Sequence, residues 1–585
     1  MRYRKTEKWD NVKQSENLLF FAQIFDELFF DYSLDTYKPS SMNTSLLCEE
    51  ALEVIEEINK GNIKAPNLKH VIEELSDNLS RDRVAKELLS LELKQINSVL
   101  LEPNKPVEEK KTVIELILRQ IYLKKYKKKT EELLIETITG NTDFSSIRSL
   151  ARSYATTLLN LGFSSEYLAE ISQKFFHYNK DRIASNKAIK DFINIFTGKP
   201  KNYRLIFKSK ETVKLYKESM KAFKIEIHND LKDINFDIGS HKFFKNSDEI
   251  YICINELKAR DNFSAKAKAE DKLEILSTIF SLFHHKEQMS WASDCLIIDD
   301  TDKEVNRSKI RINSMHKCTD QKQSRAAIQA NKFLTEFGLE PNSFRVFTRA
   351  AELHSLALKS DSHENQMLNL WIALESIIPS CTDPKLSNIE HIVNSTMPFL
   401  NIVYYQRLVG RLTSDLYNWS RGNTKKILKQ IEGDNQVLKV AKLLALPEYK
   451  RLRDELKILF NDFHLLKDRF NYLEYVYSSP ANMLKGLGSH TIRVGWQIRR
   501  IYRARNMIVH SGTTPSYIEM LIENVHDYLD HVIQQIIKLV SDSQKIISID
   551  QAFKLTQMSN KSLEDNLAEK NQIFDCSMIE KMYMI

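Results

Sequence analysis

Apolar residues recur at spacings of three and four over most of the chain, the period of a helix with one buried face. "TSLLCEEALEVIEEINKGN" shows this period and stops near Gly61, and "VEEKKTVIELILRQIYLKKYKKK" repeats it after Pro106. A helical N-terminal region is therefore predicted over 1–198. The period then shortens to that of strands in "NYRLIFKS" and "EIYICINELK", followed by a helical "SAKAKAEDKLEILSTIFSLFHH" and a strand-like "WASDCLIID". With the polar, aperiodic "DTDKEVNRSKIRINSMHKCTDQKQSR" as a linker, a small α/β middle element is expected over 199–323. Helical spacing returns over 324–545, with breaks near "PSCTDPK", "SRGNTKK", "ALPE" and "SSPANMLKGLGS". A weakly amphipathic tail over 546–585 is expected to pack on the body or on a partner. No internal repeat is visible, and the fold class is mainly α.

Composition agrees with this pattern. Only 13 glycines and 12 prolines punctuate 585 residues, which favours long helices. With 42% apolar and 28% charged residues the chain can build a large core, and it does not read as disordered. A formal charge of +7, from 85 basic and 78 acidic residues, is too mild to point to nucleic acid by itself. Cys48, Cys253, Cys295, Cys318, Cys381 and Cys576 form no CxxC pair, which fits isolated buried thiols in a reducing compartment and predicts no metal or other cofactor. No apolar run approaches the roughly 18 to 20 residues of a membrane span, and the start has no signal-peptide character, so a cytoplasmic protein without a membrane partner is expected. Lys124, Lys125, Lys127, Lys128 and Lys129 read as a basic C-terminal helix turn that complements the dipole, rather than as a nucleic-acid patch.

Local charge is more informative. From Tyr475 to Met520 the chain carries Lys485, Arg493, Arg499, Arg500, Arg503 and Arg505, against Glu519 as the single acid. Taken as one helix ending near Gly512, "TIRVGWQIRRIYRARNMIVHSG" places Arg499, Arg503, Asn506 and His510 within about 20° of one another. Ile498, Ile501, Tyr502, Ile508 and Val509 make its apolar stripe, Arg505 sits inside that stripe, and Arg500 is expected on the outer face. A similar oddity marks "QMLNLWIALESIIPS", where Glu375 lies among Leu368, Trp371, Ile372 and Ile378. An unpaired charge on an apolar face is costly to bury, so Glu375 is expected to meet Arg505 or His510. Arginine forks suit phosphates, and His510 has a side chain fit for proton transfer near neutrality. The plainer reading of "RNMIVHSG" is a helix end with a dipole-capping histidine. For Glu375 it is a carboxylate that caps a backbone or pairs with any nearby base.

The spacing Arg505-Asn506-xxx-His510, followed by Ser511-Gly512 and preceded by "WQIRRIYRA", resembles the RNxxxH motif of HEPN domains. Upstream, "LWIALE" is similar to the Apea-like branch of that superfamily. The resemblance covers about 345–541 and extends back through "ELKARDNFSAKAKAEDKLEILSTIFSLFHHK". It implies a HEPN-type helical bundle that dimerises through the motif helices and cuts RNA without a metal, by attack of the ribose 2′-hydroxyl. His510 would then be the acid/base, Arg505 would stabilise the phosphorane, Asn506 would orient it and Glu375 would position the site. Arg499, Arg500 and Arg503 would hold RNA. The resemblance also implies a toxin or anti-phage effector with a phage-derived trigger or an antitoxin as partner, with the N-terminal region sensing or regulatory. The alternative is a catalytically silent helical module that binds RNA or protein. A rival metal-dependent nuclease site at Glu256, Lys258 and Asp237 is weaker, because ordinary strand-end charges explain the pair, which alternation places on the face of Ile252 and Ile254. His284 and His285 read as structural.

Overall fold

The computed structural model describes residues 1–585 except 62, 64, 179, 180, 232–241, 287, 301–303, 309–312, 318–321, 337, 542–545, 570, 571 and 585. Helix accounts for 69% of the chain and strand for 7%, so the mainly α class follows directly, with a small antiparallel sheet between helical ends.

The chain forms two compact units, but not along the expected borders. One contains Met1–Thr156, Ala184–Asn186 and Asn313–Ile585; the other contains Thr157–Ile183 and Lys187–Ile312. The N-terminal helices and the C-terminal bundle thus belong to one unit instead of to separate domains over 1–198 and 324–545. The physical reason lies in charges that each end leaves unpaired and the other end satisfies, as described below.

In the first unit, α1 (Thr44–Asn59) starts on an Asn43 side chain that accepts from Leu46 N at 3.1 Å, and α2 (Pro66–Arg81) starts with proline in its first turn. Further along come α3 (Pro341–Lys359), α4 (His363–Ile377), α5 (Asn388–Trp419), α6 (Pro480–Ser511), α7 (Ile518–Ser541) and α8 (Ile549–Ala568). Their apolar faces meet in one cluster, to which Trp371, Phe399, Ile498 and Leu529 contribute fully buried side chains. Each such side chain stabilises the fold by roughly 1.5–3 kcal/mol. The tail joins this core: Ile549, Ala552 and Phe553 of α8 are buried in it, and the Phe553 ring lies 4.6 Å from that of Phe399.

The lysine run occupies a different place from the one expected. Tyr122 is extended and separates helix Val107–Ile121 from helix Leu123–Thr139, so the lysines stand in the first turns of the second helix. There the dipole opposes them, and neighbouring acids offset it: Lys127 meets Glu131 at 2.5 Å and Lys129 meets Glu87 at 2.8 Å.

The second unit holds strands β1 (Lys201–Lys210), β2 (Ile225–His228), β3 (Glu249–Ala259), β4 (Trp291–Asp299) and β5 (Glu304–Arg307), in the order β2-β3-β1-β4-β5, with every pair antiparallel. Helix Asn262–Ser281 begins on a capping box between Asp261 and Ser264, and buries Ala265, Ala269 and Leu273 with the face that carries Leu205, Ile252 and Ile254. β2 and β5, four residues each, are too short to show a period, and β5 falls in the stretch expected as linker.

Glu256 corrects the face assignment on β3. Its φ of +58° makes a bulge, and the register passes from Leu205↔Ile254 to Tyr203↔Leu257. The alternation slips by one, so Leu257 and Ala259 join Ile252 and Ile254 in the core while Glu256 and Lys258 face solvent. Glu256 pairs with Lys224 at 2.6 Å, as strand-end charges do, and Asp237 lies outside the described residues. His284 and His285 are exposed beyond their helix end. Cys48, Cys253 and Cys295 are buried, and burial pushes the Cys253 and Cys295 thiols up to about 12. Cys381 and Cys576 are instead exposed, and Cys318 lies outside the described residues. Among the described residues no helix is long and apolar enough to cross a membrane.

Candidate functional site

Helix α6 is the frame of the site. Ser479 accepts from Asn482 N at 3.2 Å, Pro480 fills the first helical position, and the chain leaves the helix at Gly512 with φ +61°. The helix is 32 residues long, so it begins well before the expected "TIRVGW" and runs straight through "KGLGS". Glycine matters at one point: a Cβ on Gly486 would sit 2.5 Å from Tyr405 Oη, which donates to Met483 O at 2.6 Å. Ile498 and Ile501 are in the core, and Tyr502 and Ile508 pack against it as expected, but Val509 in the last turn is exposed.

The basic face does not open to solvent. Arg500, expected on the outer face, is 2% exposed, and Arg503 is 4% exposed. Arg500 Nε donates to Glu50 Oε1 at 3.1 Å, its Nη2 donates to Glu50 Oε2 at 2.9 Å and to Glu74 Oε2 at 2.6 Å, and its Nη1 donates to Gln497 at 2.9 Å. Arg503 Nη2 reaches the same Glu50 at 2.7 Å, while its Nε and Nη1 find no acceptor among the described residues. Burial alone would raise the Glu50 carboxyl, but the two guanidinium groups and their hydrogen bonds bring it down to about 2. Glu74 is raised instead, first by burial and then by the neighbouring Glu50 charge. The strong half of this cluster is therefore Glu50 between two arginines.

Arg499 is also engaged. It makes a two-pronged bond to Glu390 of α5, Nε to Oε1 at 2.8 Å and Nη2 to Oε2 at 2.7 Å, and His70 Nε2 of α2 lies 3.0 Å from the same carboxylate. Gly495, one turn earlier, clears the way: a Cβ there would be 3.0 Å from Arg499 Nη1. Burial, and after it the Arg499 charge, lowers the pKa of His70. So Arg499, Arg500 and Arg503, the three expected RNA-holding residues, all spend their charge on acids of the same unit.

The last two turns differ. Asn506 is 7% exposed and accepts from Arg505 Nη1 at 3.0 Å; Arg505 is half-buried and its Nε has no acceptor among the described residues. His510 is exposed in the final turn. The structure thus places Arg505, Asn506 and His510 within two turns and joins the first two directly.

Glu375 does not make the expected pairing. It accepts from Trp371 Nε1 at 3.2 Å and from Asn388 Nδ2 at 2.8 Å, and among the described residues no ion pair joins it to Arg505 or His510. The buried stripe of α4 runs through Met367, Leu370, Trp371, Leu374 and Ile377, while Ile372 is exposed, so Glu375 flanks the apolar face rather than lying inside it. Helices α4 and α6 meet instead through Trp371 and Tyr502, whose rings are 5.6 Å apart. Glu375 holds the Trp371 indole, whose ring is the one that meets Tyr502 of α6.

Sequence reasoning missed Glu50, Glu74 and Glu390. Glu50 carried a signal, since it sits on the buried face of α1 between Leu47 and Val54, the same oddity that singled out Glu375. A cavity of about 430 Å³ in this unit, lined by Leu444, Pro447, Arg453 and Glu474, contains none of the motif residues. No family model, curated protein or solved structure matches the chain.

Proposed function

We propose that the protein is a HEPN-type, metal-independent endoribonuclease whose working groups are Arg505, Asn506 and His510. The observation that carries this reading is the Arg505–Asn506 hydrogen bond beside an exposed His510 at the end of one helix. His510 is exposed and so within reach of a substrate for proton transfer, and the half-buried Arg505, which meets no acid among the described residues, would offer its charge to a developing phosphorane. In the reaction, the ribose 2′-oxygen forms a bond to phosphorus, the 2′-proton passes to a base, and the bond to the 5′-oxygen breaks with protonation of that oxygen. The products are a cyclic phosphate and a 5′-hydroxyl end. A cytoplasmic homodimer would bring two such sets to one cleft, with RNA as substrate. Glu375 would serve as a positioning residue through Trp371. The biological role would be that of a toxin or anti-phage effector, restrained by an antitoxin or released by a phage-derived trigger. The N-terminal helices would supply regulation through the grip of Glu50 and Glu74 on α6.

His510→Ala and Arg505→Ala are each expected to lower RNA cleavage by roughly 10²-fold or more, read as loss of cyclic-phosphate ends, with the fold intact. Undiminished cleavage in His510→Ala would sink the proposal. The second reading is a catalytically silent helical module that binds RNA or protein, and the neutralised basic face favours its protein-binding form. That reading predicts no cyclic phosphate from the intact protein at any concentration.

A further inference from the structure

A group of side chains on α3 and α7 has the arrangement of a metal site. His526 and Asp530, four residues apart, share one face of α7, and His354 reaches them from α3. His354 Nε2 lies 3.0 Å from His526 Nε2 and 3.1 Å from Asp530 Oδ1, and His526 Nε2 lies 3.4 Å from Asp530 Oδ2. A tetrahedral zinc centre, with bonds of about 2.0–2.1 Å, spaces its ligands about 3.3–3.4 Å apart. The two imidazole nitrogens stand 3.0 Å apart, and each has a carboxylate oxygen of Asp530, Oδ1 for His354 and Oδ2 for His526, at 3.1–3.4 Å, close to the spacing of neighbouring ligands in such a centre.

The chemistry of the donors points the same way. Two imidazole Nε2 atoms facing each other need a proton on one of them, or a cation between them. A cation engages both lone pairs and the carboxylate at once. His526 is nearly buried, with its side chain 4% exposed, whereas His354 and Asp530 are 21% and 27% exposed, so one side stays open for water as a fourth ligand. Two imidazoles and one carboxylate suit a divalent first-row transition ion and do not suit magnesium or calcium.

We infer that His354, His526 and Asp530 bind a divalent transition-metal ion of the zinc class, which cross-links α3 to α7. The site shares no residue with Arg505, Asn506 and His510 and does not depend on the nuclease reading. Ion binding to the folded state alone stabilises it by mass action, so occupancy raises the unfolding midpoint.

The test uses the full chain, stripped with a chelator and dialysed. Titration with zinc chloride is expected to show one equivalent bound and a raised thermal midpoint. Cobalt(II) is expected to give visible bands without the sulfur-to-cobalt charge-transfer band that binding to the exposed Cys381 or Cys576 would produce. His354→Ala and Asp530→Asn, both at half-buried positions, are each expected to weaken binding beyond the roughly 10- to 100-fold that outer-shell changes cost. Absence of a zinc-dependent midpoint shift in the intact protein would overturn the inference. So would unchanged cobalt spectra in either folded variant, and the intact protein's titration decides the matter even if both variants misfold.

Discussion

The middle and the end of helix α6 make an instructive pair. Arg499, Arg500 and Arg503 are tied to Glu390, Glu50 and Glu74, whereas Arg505 and His510, within two further turns, meet no acid among the described residues. The residue types are alike and the helix is continuous, so the difference comes from what is packed alongside. The middle turns lie under α1 and α2, where a guanidinium must have a carboxylate because an unpaired buried charge costs several kcal/mol. The final turns lie beyond that cover. A run of arginines on one helix is thus two things: a structural seam, and then a last, half-buried arginine that meets no acid among the described residues, followed by an exposed final turn.

The sharpest way to break this comparison is to remove the cover. A chain lacking residues 1–156 would leave Arg500 and Arg503 buried without partners or expose the seam to water. It is expected to lose cooperative thermal unfolding, and a normal transition by circular dichroism would show that the C-terminal bundle stands alone. Next in size is Glu50→Ala, which strands two guanidinium groups and is expected to destabilise by about 3–5 kcal/mol in urea unfolding. A loss under about 1 kcal/mol would mean that the seam is hydrated rather than sealed.

Acid titration gives a graded version of the same test. His490, stacked 3.8 Å from Tyr404, has its pKa lowered from 6.5 to about 3, chiefly by burial. The unfolded chain binds its proton first, so this contribution is present above pH 6.5 and is lost as pH falls from 6.5 towards 3. Glu50, lowered from 4.5 to about 2, adds a second loss as pH falls from 4.5 towards 2. Glu74, whose pKa is raised, works in the opposite sense above 4.5. Stability is expected to fall in two stages, and His490→Gln should reduce the first, leaving the part due to His70 and His464, whose pKa values burial also lowers. Smallest is the effect of His510→Ala on stability, within about 0.5 kcal/mol, because the residue is exposed. A larger loss would place His510 in the seam and not beyond it.

Much of the fold was legible. The period change marked β1, β3, β4 and the helix that follows β3, since each is long enough to display its spacing. β5 was not legible, because four residues in a polar stretch carry no period. Face assignments failed where a local irregularity reset the phase, as at Glu256, or where the apolar stripe was broad, as on α4. For the site, the motif positions on α6 were visible, but the state of its arginines was not. Arg500 looks exposed from its own helix, and only the tertiary contact with Glu50, 450 residues earlier, reverses that. The His354–His526–Asp530 group was invisible for the same reason, as its two histidines are 172 residues apart and His-x-x-x-Asp alone is commonplace.

The grip of Glu50 on Arg500 and Arg503 also orders events during synthesis. At roughly 5–20 residues per second, the 450-residue interval between Glu50 and Arg500 means that the acid waits about 20–90 s for its first partner. Over that time the α1 carboxylate can only stay hydrated, so the buried face around it has to remain open while the sheet unit and the early bundle emerge. The helix that carries Arg500 and Arg503, made long after α1, is therefore the one that lets the face around Glu50 close.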